Sequence, residues 1–189
     1  LSFIGTSMSD YSRADYQELE SAFVVGDAGD EVHVDEYGRV RVRFAWDATP
    51  DEKAPWARVD AAWAGAGFGA IALPRVGNEV LVAYHHGDPD QPVVVGRLFN
   101  GADAPLDPLP HAVAKTTLRT RATPGGDGGH ELTFDDKKGA ELVRLRSERD
   151  LTKLVKNEER ARVLLDATAQ IGGSVATTIA ENDQMQAGT

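Results

Sequence analysis

The stretch RVRVRFAW, residues 39–46, alternates basic and apolar side chains and decides the expected fold. Successive side chains of a β-strand point to opposite faces, so this period of two places three arginines on one face and the large apolar side chains on the other. A half-buried strand is therefore predicted, directly after a turn at residues 35–38. The predicted core face consists of Val40, Val42, Phe44 and Trp46.

Other short apolar runs flank this strand, at residues 22–25, 56–63, 79–84 and 92–99. The segments between them are rich in glycine and proline, which form turns. Short strands with almost no helical periodicity predict a small closed or partly open β-barrel. We expect the barrel to span residues 21–110, after a tail or linker at residues 1–20.

The composition narrows the classes of function. The 189 residues are 41% hydrophobic, which is enough for a packed core, and they include no cysteine. The lack of cysteine excludes disulfide scaffolds, thiolate metal sites and cysteine nucleophiles. A formal net charge of −10 disfavours binding to nucleic acid phosphates or anionic membranes. No apolar run approaches the roughly 18 residues that a membrane helix needs.

The final part of the chain carries a weak repeat. Residues 101–110 (GADAPLDPLP) mark a linker, residues 111–139 form a connecting region, and apolar residues then recur every eight positions within residues 140–189. A single strip with one inward side chain per eight residues cannot enclose a core, whereas three identical strips wound about an axis can. The repeat therefore predicts a homotrimer with a β-helical stem. The repeated positions are Val155, Val163, Ile171 and Ile179, which are predicted to line the trimer axis, and Ala187.

A different structure competes for the same residues. Leu151, Leu154, Val155 and Glu158 fall at helical spacings, and propensity alone favours a helix beyond Ser147. A helix or a disordered tail is thus the alternative to the octad segment.

Three motifs suggest chemistry, and each has a simpler structural explanation. Residues 65–70 (GAGFGA) fit a relaxed dinucleotide fingerprint, but residues 71–77 cannot form the helix that such a site requires. The adjacent histidines within residues 85–90 point to opposite faces and rarely share a metal ion. The arginine face of residues 39–46 suits single-stranded nucleic acid, but the large aromatic side chains lie on the opposite face. No catalytic, cofactor-binding or metal-binding residue is therefore predicted.

Long motifs occur in fixed order from about residue 21 to 175. They include GDEVHVDEYGRVRVRF at residues 29–44, WAGAGFGA at 63–70, LPRVGNEVLV at 73–82, GDPDQPVVVGR at 87–97 and ELTFDDKKG at 131–139. Together they resemble the VgrG family, the valine-glycine-repeat spike proteins of type VI secretion systems. The resemblance implies an all-β chain, with an OB-fold β-barrel followed by the start of a trimeric intertwined β-helix.

The resemblance also implies a function without catalysis or cofactor. It implies a structural spike of a contractile injection machine that punctures a target envelope. The implied partners are two further copies of the chain, Hcp-like tail-tube proteins, baseplate proteins, a PAAR-type tip protein and effectors. The spike would assemble in the bacterial cytoplasm and then be secreted or injected on contraction; residues 1–12 carry no signal peptide pattern. The alternatives are a spike of a phage tail or extracellular contractile injection system and, in a different class, an OB-fold nucleic-acid-binding protein.

The chain departs from the family pattern in two respects. Residues 1–189 contain no stretch that resembles the large N-terminal hub domain usual in VgrG, and Val163-Leu164-Leu165 and Ile179-Ala180-Glu181 replace the expected Val-x-Gly. Because the chain starts at Leu1 and stops inside a patterned segment, we expect a portion of a longer polypeptide or foreign residues ahead of Met8.

Overall fold

A computed structural model describes residues 19–48 and 50–181 of the chain. The chain divides into two units, Leu1–Asp150 and Leu151–Thr189. A tail was expected at residues 1–20, and residues 1–18 of it lie outside the described residues. Glu20 already begins the first strand. The described residues form strands and two single-turn 3-10 helices, Asp51–Lys53 and His85–Gly87, but no α-helix. Neither helix has the length and apolar character needed to cross a membrane.

Five strands of the first unit close into a barrel. The strands up to residue 97 are β1 (Glu20–Val25), β2 (Val40–Phe44), β3 (Trp56–Val59), β4 (Ala64–Gly65), β5 (Phe68–Gly69), β6 (Glu79–Tyr84) and β7 (Pro92–Arg97). The barrel order is β1-β2-β3-β7-β6. In the barrel β3 and β7 pair in parallel, and the other pairs with a defined register are antiparallel. The strands β4 and β5 form a separate short hairpin. This closed five-stranded barrel confirms the predicted all-β, OB-type fold.

Valine fills most of the barrel interior. The alternation in β2 sends Val40 and Val42 inward, both fully buried, and Phe44 joins them at 5% exposure. Valine side chains from β1, β6 and β7 complete the core cluster together with Ala22 and Ala57. A five-stranded barrel has a narrow interior, so short β-branched side chains occupy it without forcing the strands apart. Full burial of such a side chain contributes roughly 1.5–3 kcal/mol.

Trp46 corrects the prediction that the core face continues to residue 46. β2 ends at Phe44, and the chain turns at residues 45–46, which breaks the period of two. The Trp46 side chain is 72% exposed; its ring stacks on Phe44 with a centroid distance of 5.2 Å, and its Nε1 donates to Glu20 Oε2 at 2.9 Å. Trp46 therefore covers one end of the core from outside instead of filling it.

A second, three-stranded sheet follows the barrel within the first unit. It comprises β8 (Lys115–Arg119), β9 (Glu131–Asp135) and β10 (Leu142–Arg146), in the order β10-β9-β8 with both pairs antiparallel. Residues 142–146, which the sequence assigned to the octad segment, thus pair with the strand before them. The boundary predicted at residue 140 stays a prediction.

Residues 151–181 contain neither strand nor helix in the structure. The helix considered for the residues beyond Ser147 is absent from this described part. The last predicted octad position, Ala187, lies outside the described residues.

Candidate assembly surfaces

The octad segment bends at regular intervals. Bends fall at residues 156–157, 164–165, 172–173 and 180–181, an exact spacing of eight residues. Each bend follows directly after one of the predicted axis residues, which are Val155, Val163, Ile171 and Ile179. The backbone therefore has the period that the sequence pattern has, including the octads in which leucine or glutamate replaces glycine.

The apolar side chains of this segment lie at the surface of the single chain. The four predicted axis residues are 43% to 59% exposed. Within residues 151–181 the other large apolar residues are more exposed, from 67% at Val175 to 92% at Leu165. None of residues 151–181 is buried within its own chain. Their position on a trimer axis stays a prediction.

A carboxylate clamps the loop before β9 to the barrel. Glu31 Oε2 accepts a hydrogen bond from Thr123 Oγ1 at 2.5 Å, and Glu31 Oε1 accepts one from the Gly125 amide at 2.6 Å. Arg75 Nη1 lies 3.3 Å from Glu31 Oε2, and Arg75 Nη2 donates to the Arg121 carbonyl at 2.7 Å. The hydrogen bonds from Thr123 and Gly125 lower the pKa of Glu31 below its ordinary value. Residues 121–125 are therefore attached to the barrel by an ionised side chain.

The arginine face of β2 is paired with aspartates of the same chain. Arg39 Nε lies 2.6 Å from Asp35, Arg41 Nη1 3.2 Å from Asp27 and Arg43 Nη1 2.5 Å from Asp51. These ion pairs neutralise the cations that a nucleic acid backbone would need. Although the guanidinium of Arg41 lies over the Trp56 ring, the face has the charge balance of an ordinary solvated surface.

The glycine-rich motif forms a hairpin and no nucleotide site. Residues 65–70 supply most of β4 and β5, and Gly67 takes a positive φ of 79° in the turn between them, a conformation that favours glycine. Residues 70–78, which directly follow this hairpin, contain no helix. The hairpin instead borders a shallow groove of about 410 Å³. Trp63 and Phe68 lie in this groove with ring centroids 6.1 Å apart, and both are more than 60% exposed.

The histidines do not assemble a catalytic centre in the described residues. His85 and His86 lie in a 3-10 turn after β6, with ring centroids 4.2 Å apart. His33, Asp30 and Asp27 do come close together, but His33 Nδ1 bonds Asp30 Oδ2 at 2.8 Å and Asp27 is paired with Arg41. These polar groups satisfy one another on the surface.

Sequence reasoning missed the Glu31 clamp and the aromatic groove. Glu31 and Thr123 are 92 positions apart, and no spacing rule connects residues at that distance. The groove forms from the loop that carries the glycine motif, where the glycines predicted a close turn but gave no sign of the exposed aromatic side chains beside it.

Comparison with known proteins gives matches over both parts of the chain. Residues 22–99 match the family model of the type VI secretion system/phage-baseplate injector OB domain. Residues 116–189 match that of the bacteriophage T4 gp5 C-terminal trimerisation domain.

Individual proteins match at about 40% identity. The chain is 41% identical over 147 residues to the type VI secretion system spike protein VgrG4b of Pseudomonas aeruginosa, which covers 76% of this chain and 18% of that protein. It is 40% identical over 145 residues to the actin cross-linking toxin VgrG1 of Vibrio cholerae, covering 75% of this chain and 13% of that protein. A third match, the spike protein VgrG5 of Pseudomonas aeruginosa, is 39% identical over 76% of this chain and 19% of that protein. The chain thus spans less than a fifth of the length of these curated relatives.

Proposed function

Because this chain belongs to the VgrG family of spike proteins, we propose that it forms part of a trimeric spike in a contractile injection machine. In this proposal the octad residues of three copies wind into a stiff stem. The stem would act by shape and stiffness when the machine drives it through a target envelope.

The observation that carries this proposal is the eight-residue period of bends in a segment without internal pairing. Residues 151–181 form no strand with the rest of the described chain, yet their bends keep one spacing over four repeats. Extended backbone leaves its N–H and C=O groups without partners unless another strand supplies them. Three copies would supply that pairing to one another and would also cover the half-exposed octad side chains.

The finer partners and the location belong to the same proposal. A spike of this kind would contact Hcp-like tube proteins and baseplate proteins at its base, and would carry a PAAR-type tip protein or effectors at the other end. It would assemble in the bacterial cytoplasm and leave the cell by contraction. Two relatives are named as spike proteins of type VI secretion systems, which supports a place in such a machine.

We propose no catalytic activity for this segment. One relative is named as an actin cross-linking toxin, but this chain covers only 13% of that protein. The paired histidines and aspartates described above offer no nucleophile held by a base. Turnover of cell-wall polymer that disappears on changing a single carboxylate would contradict this proposal.

Two measurements test the proposed spike. Sedimentation equilibrium of the full chain should give a trimer, and a monomer at all accessible concentrations would overturn the proposal. In a second experiment, residues 1–189 replace the matching residues of a type VI spike protein, and release of the tube protein is measured. We expect release to be retained, with an unrelated OB barrel in the same place as the negative control.

A spike of a phage tail or extracellular injection system is the second candidate. The family model matched by the barrel describes injector OB domains of both secretion systems and phage baseplates, and the stem matches a phage trimerisation domain. Assembly of the segment into a phage baseplate, with no tube release from a type VI machine, would favour this candidate.

A further inference from the structure

We propose that the aromatic groove beside the β4–β5 hairpin binds a quaternary ammonium group, the positively charged end of small molecules such as choline. The groove is lined by residues between Tyr37 and Leu73, which all belong to the barrel unit and to the OB-domain match. It shares no residue with the trimerisation-domain match. The proposal therefore goes beyond the spike and does not depend on its assembly.

Four large side chains of the aromatic groove are exposed. Tyr37 is 75% exposed, Trp63 62%, Phe68 61% and Ile71 80%. Burial of such side chains would stabilise the fold, so a concave cluster of exposed ones indicates that a ligand or partner covers them. The groove volume of about 410 Å³ lies within the roughly 300–1,000 Å³ of small-molecule sites. Its size thus suits a small ligand.

The hairpin holds the rings of Trp63 and Phe68 in position. Phe68 pairs with Gly65 across the hairpin, and its ring occupies the space in which any other residue at position 65 would place its Cβ. The Trp63 carbonyl accepts a hydrogen bond from the Ala70 amide at 2.9 Å, which fixes the backbone that carries the indole. Rings that are fixed before binding lose less conformational entropy when a ligand arrives.

The angle between these two rings favours a rounded ligand over a flat one. Their centroids are 6.1 Å apart and their planes are inclined by 54°. A flat sugar or aromatic ring can lie parallel to only one of two planes at this angle, whereas a roughly spherical cation can lie within about 6 Å of both centroids. The Tyr37 ring already carries the guanidinium of Arg39 at 5.4 Å from its centroid, so Trp63 and Phe68 supply the faces for the ligand.

The charge of the groove selects a cation. Among the described residues that line it, Asp60 is the one charged residue, and neither lysine nor arginine is present. The Asp60 amide donates to the Val94 carbonyl at 2.8 Å, so its backbone is anchored to β7. The negative faces of the aromatic rings add to the attraction that the carboxylate exerts on a positive charge. A cationic ligand is therefore favoured over an anionic one.

The scarcity of hydrogen-bonding groups narrows the ligand to a quaternary cation. Apart from Asp60, the polar side-chain atoms of the lining are the Tyr37 hydroxyl and the Trp63 indole N–H, and the indole can only donate. A lysine ammonium brings three N–H donors, and a buried donor without an acceptor is costly. A quaternary ammonium has no N–H, and its methyl groups are apolar, so it suits the carboxylate and the rings together. Aromatic cages recognise ligands of this kind.

The first test compares choline with 3,3-dimethylbutan-1-ol, in which a carbon atom replaces the charged nitrogen and the shape is retained. Binding of each compound to the full chain is measured by ligand-observed NMR at constant ionic strength. We expect choline to bind about tenfold more tightly, because only the cation is attracted by the rings and by Asp60. Undetectable binding of choline would overturn the proposal. Equal affinity of the two compounds would also overturn it and would favour an apolar segment of a partner protein as the occupant.

Substitutions in the full chain locate the ligand. Trp63→Leu keeps an apolar side chain but removes the indole face, so the affinity for choline should fall about fivefold or more. Trp46→Leu is the matched control, since Trp46 is also strongly exposed, at 72%, but lies outside the groove. Equal choline affinity of the two variants would place the ligand elsewhere and contradict the proposal.

A change of charge alone provides a test that leaves the hairpin intact. Asp60→Asn should weaken the binding of choline about fivefold and leave that of the neutral alcohol unchanged. Glu52→Gln removes an exposed carboxylate outside the groove and should change neither affinity. An Asp60→Asn variant that binds choline like the parent would contradict the role of the carboxylate and overturn the proposed site.

Vesicles distinguish a free ligand from a lipid headgroup. The full chain is sedimented with phosphatidylcholine vesicles, and phosphatidylglycerol vesicles are the control. Binding to phosphatidylcholine that free choline displaces and that Trp63→Leu abolishes would support a lipid headgroup as the source of the ammonium group. Binding of free choline without binding to either vesicle would support a free small molecule.

Discussion

Phe44 and Trp46 stack on each other, but only Phe44 is part of the core. The two rings are 5.2 Å apart, while Phe44 is 5% and Trp46 72% exposed. Removal of a buried aromatic side chain costs about 3–5 kcal/mol, whereas an exposed stacking contact is worth about 0.5–1.5 kcal/mol. We therefore expect Phe44→Ala to lower the free energy of unfolding several times more than Trp46→Ala.

Denaturant unfolding of the two variants in the full chain measures this difference. A third variant, Glu20→Gln, weakens the hydrogen bond from Trp46 and leaves the ring stacking intact, so it separates the two effects. If Trp46→Ala destabilised the protein as much as Phe44→Ala, the ring would belong to the core and the assigned end of β2 at residue 44 would be wrong.

Glu31 is a single residue whose ionisation holds a loop in place. Its pKa lies below the ordinary 4.5 because Thr123 and Gly125 donate hydrogen bonds to the carboxylate. Because the pKa of Glu31 is lower in the folded state, its ionisation stabilises the clamp fully at any pH above the pKa of the unfolded state. This stabilisation is lost as the pH falls through the pKa of the folded state. We expect the peptide that contains residues 121–129 to lose hydrogen-exchange protection as the pH is lowered below about 4.5, after correction for intrinsic rates.

The Glu31→Gln variant tests the clamp without acid. Its amide can still accept hydrogen bonds but cannot pair with Arg75, so the same peptide should exchange faster at pH 7 and lose its pH dependence. Glu36→Gln, on the same exposed loop, is the control and should behave like the parent. Unchanged protection in Glu31→Gln would mean that other contacts hold the loop.

At the scale of elements, the period of two made β2 predictable and the turn after it unpredictable. The alternation of arginine and apolar residues indicated which side chains of β2 face the barrel, and Val40, Val42 and Phe44 are buried there. The pattern continued by chance through Trp46, and only the backbone turn at residues 45–46 shows that the strand has ended. The alternation of side chains in a sequence does not indicate at which residue hydrogen bonding to the neighbouring strand stops.

The pairing of β10 illustrates a second limit. Its sequence, LVRLR, alternates loosely and could belong to either the sheet or the octad segment. The register with β9 depends on the turn at residues 136–141 and on contacts outside β10, and neither can be read from five residues. The Glu31 clamp depends in the same way on residues far apart in the chain.

At the scale of the whole molecule, the proposed trimer would bury octad side chains that a single chain leaves exposed. We expect Ile171→Asp to weaken the trimer strongly, because three carboxylates would meet near the axis, where repulsion and desolvation both oppose the charged form. Leu165→Asp is the control, since Leu165 is 92% exposed and lies on a bend. Sedimentation should show a much weaker trimer for Ile171→Asp alone. Equal assembly of both variants would place the axis elsewhere.

The lack of pairing within residues 151–181 has a consequence for how the stability of this protein responds to dilution. A barrel that closes on itself melts at a temperature independent of the number of neighbouring molecules. Backbone groups that find partners only in other molecules follow mass action, so their melting temperature rises with protein concentration. Heating a dilution series while following exchange in each unit should therefore give one constant transition and one that moves. A cell that makes this chain in small amounts would hold a folded barrel with an unformed stem until three copies meet.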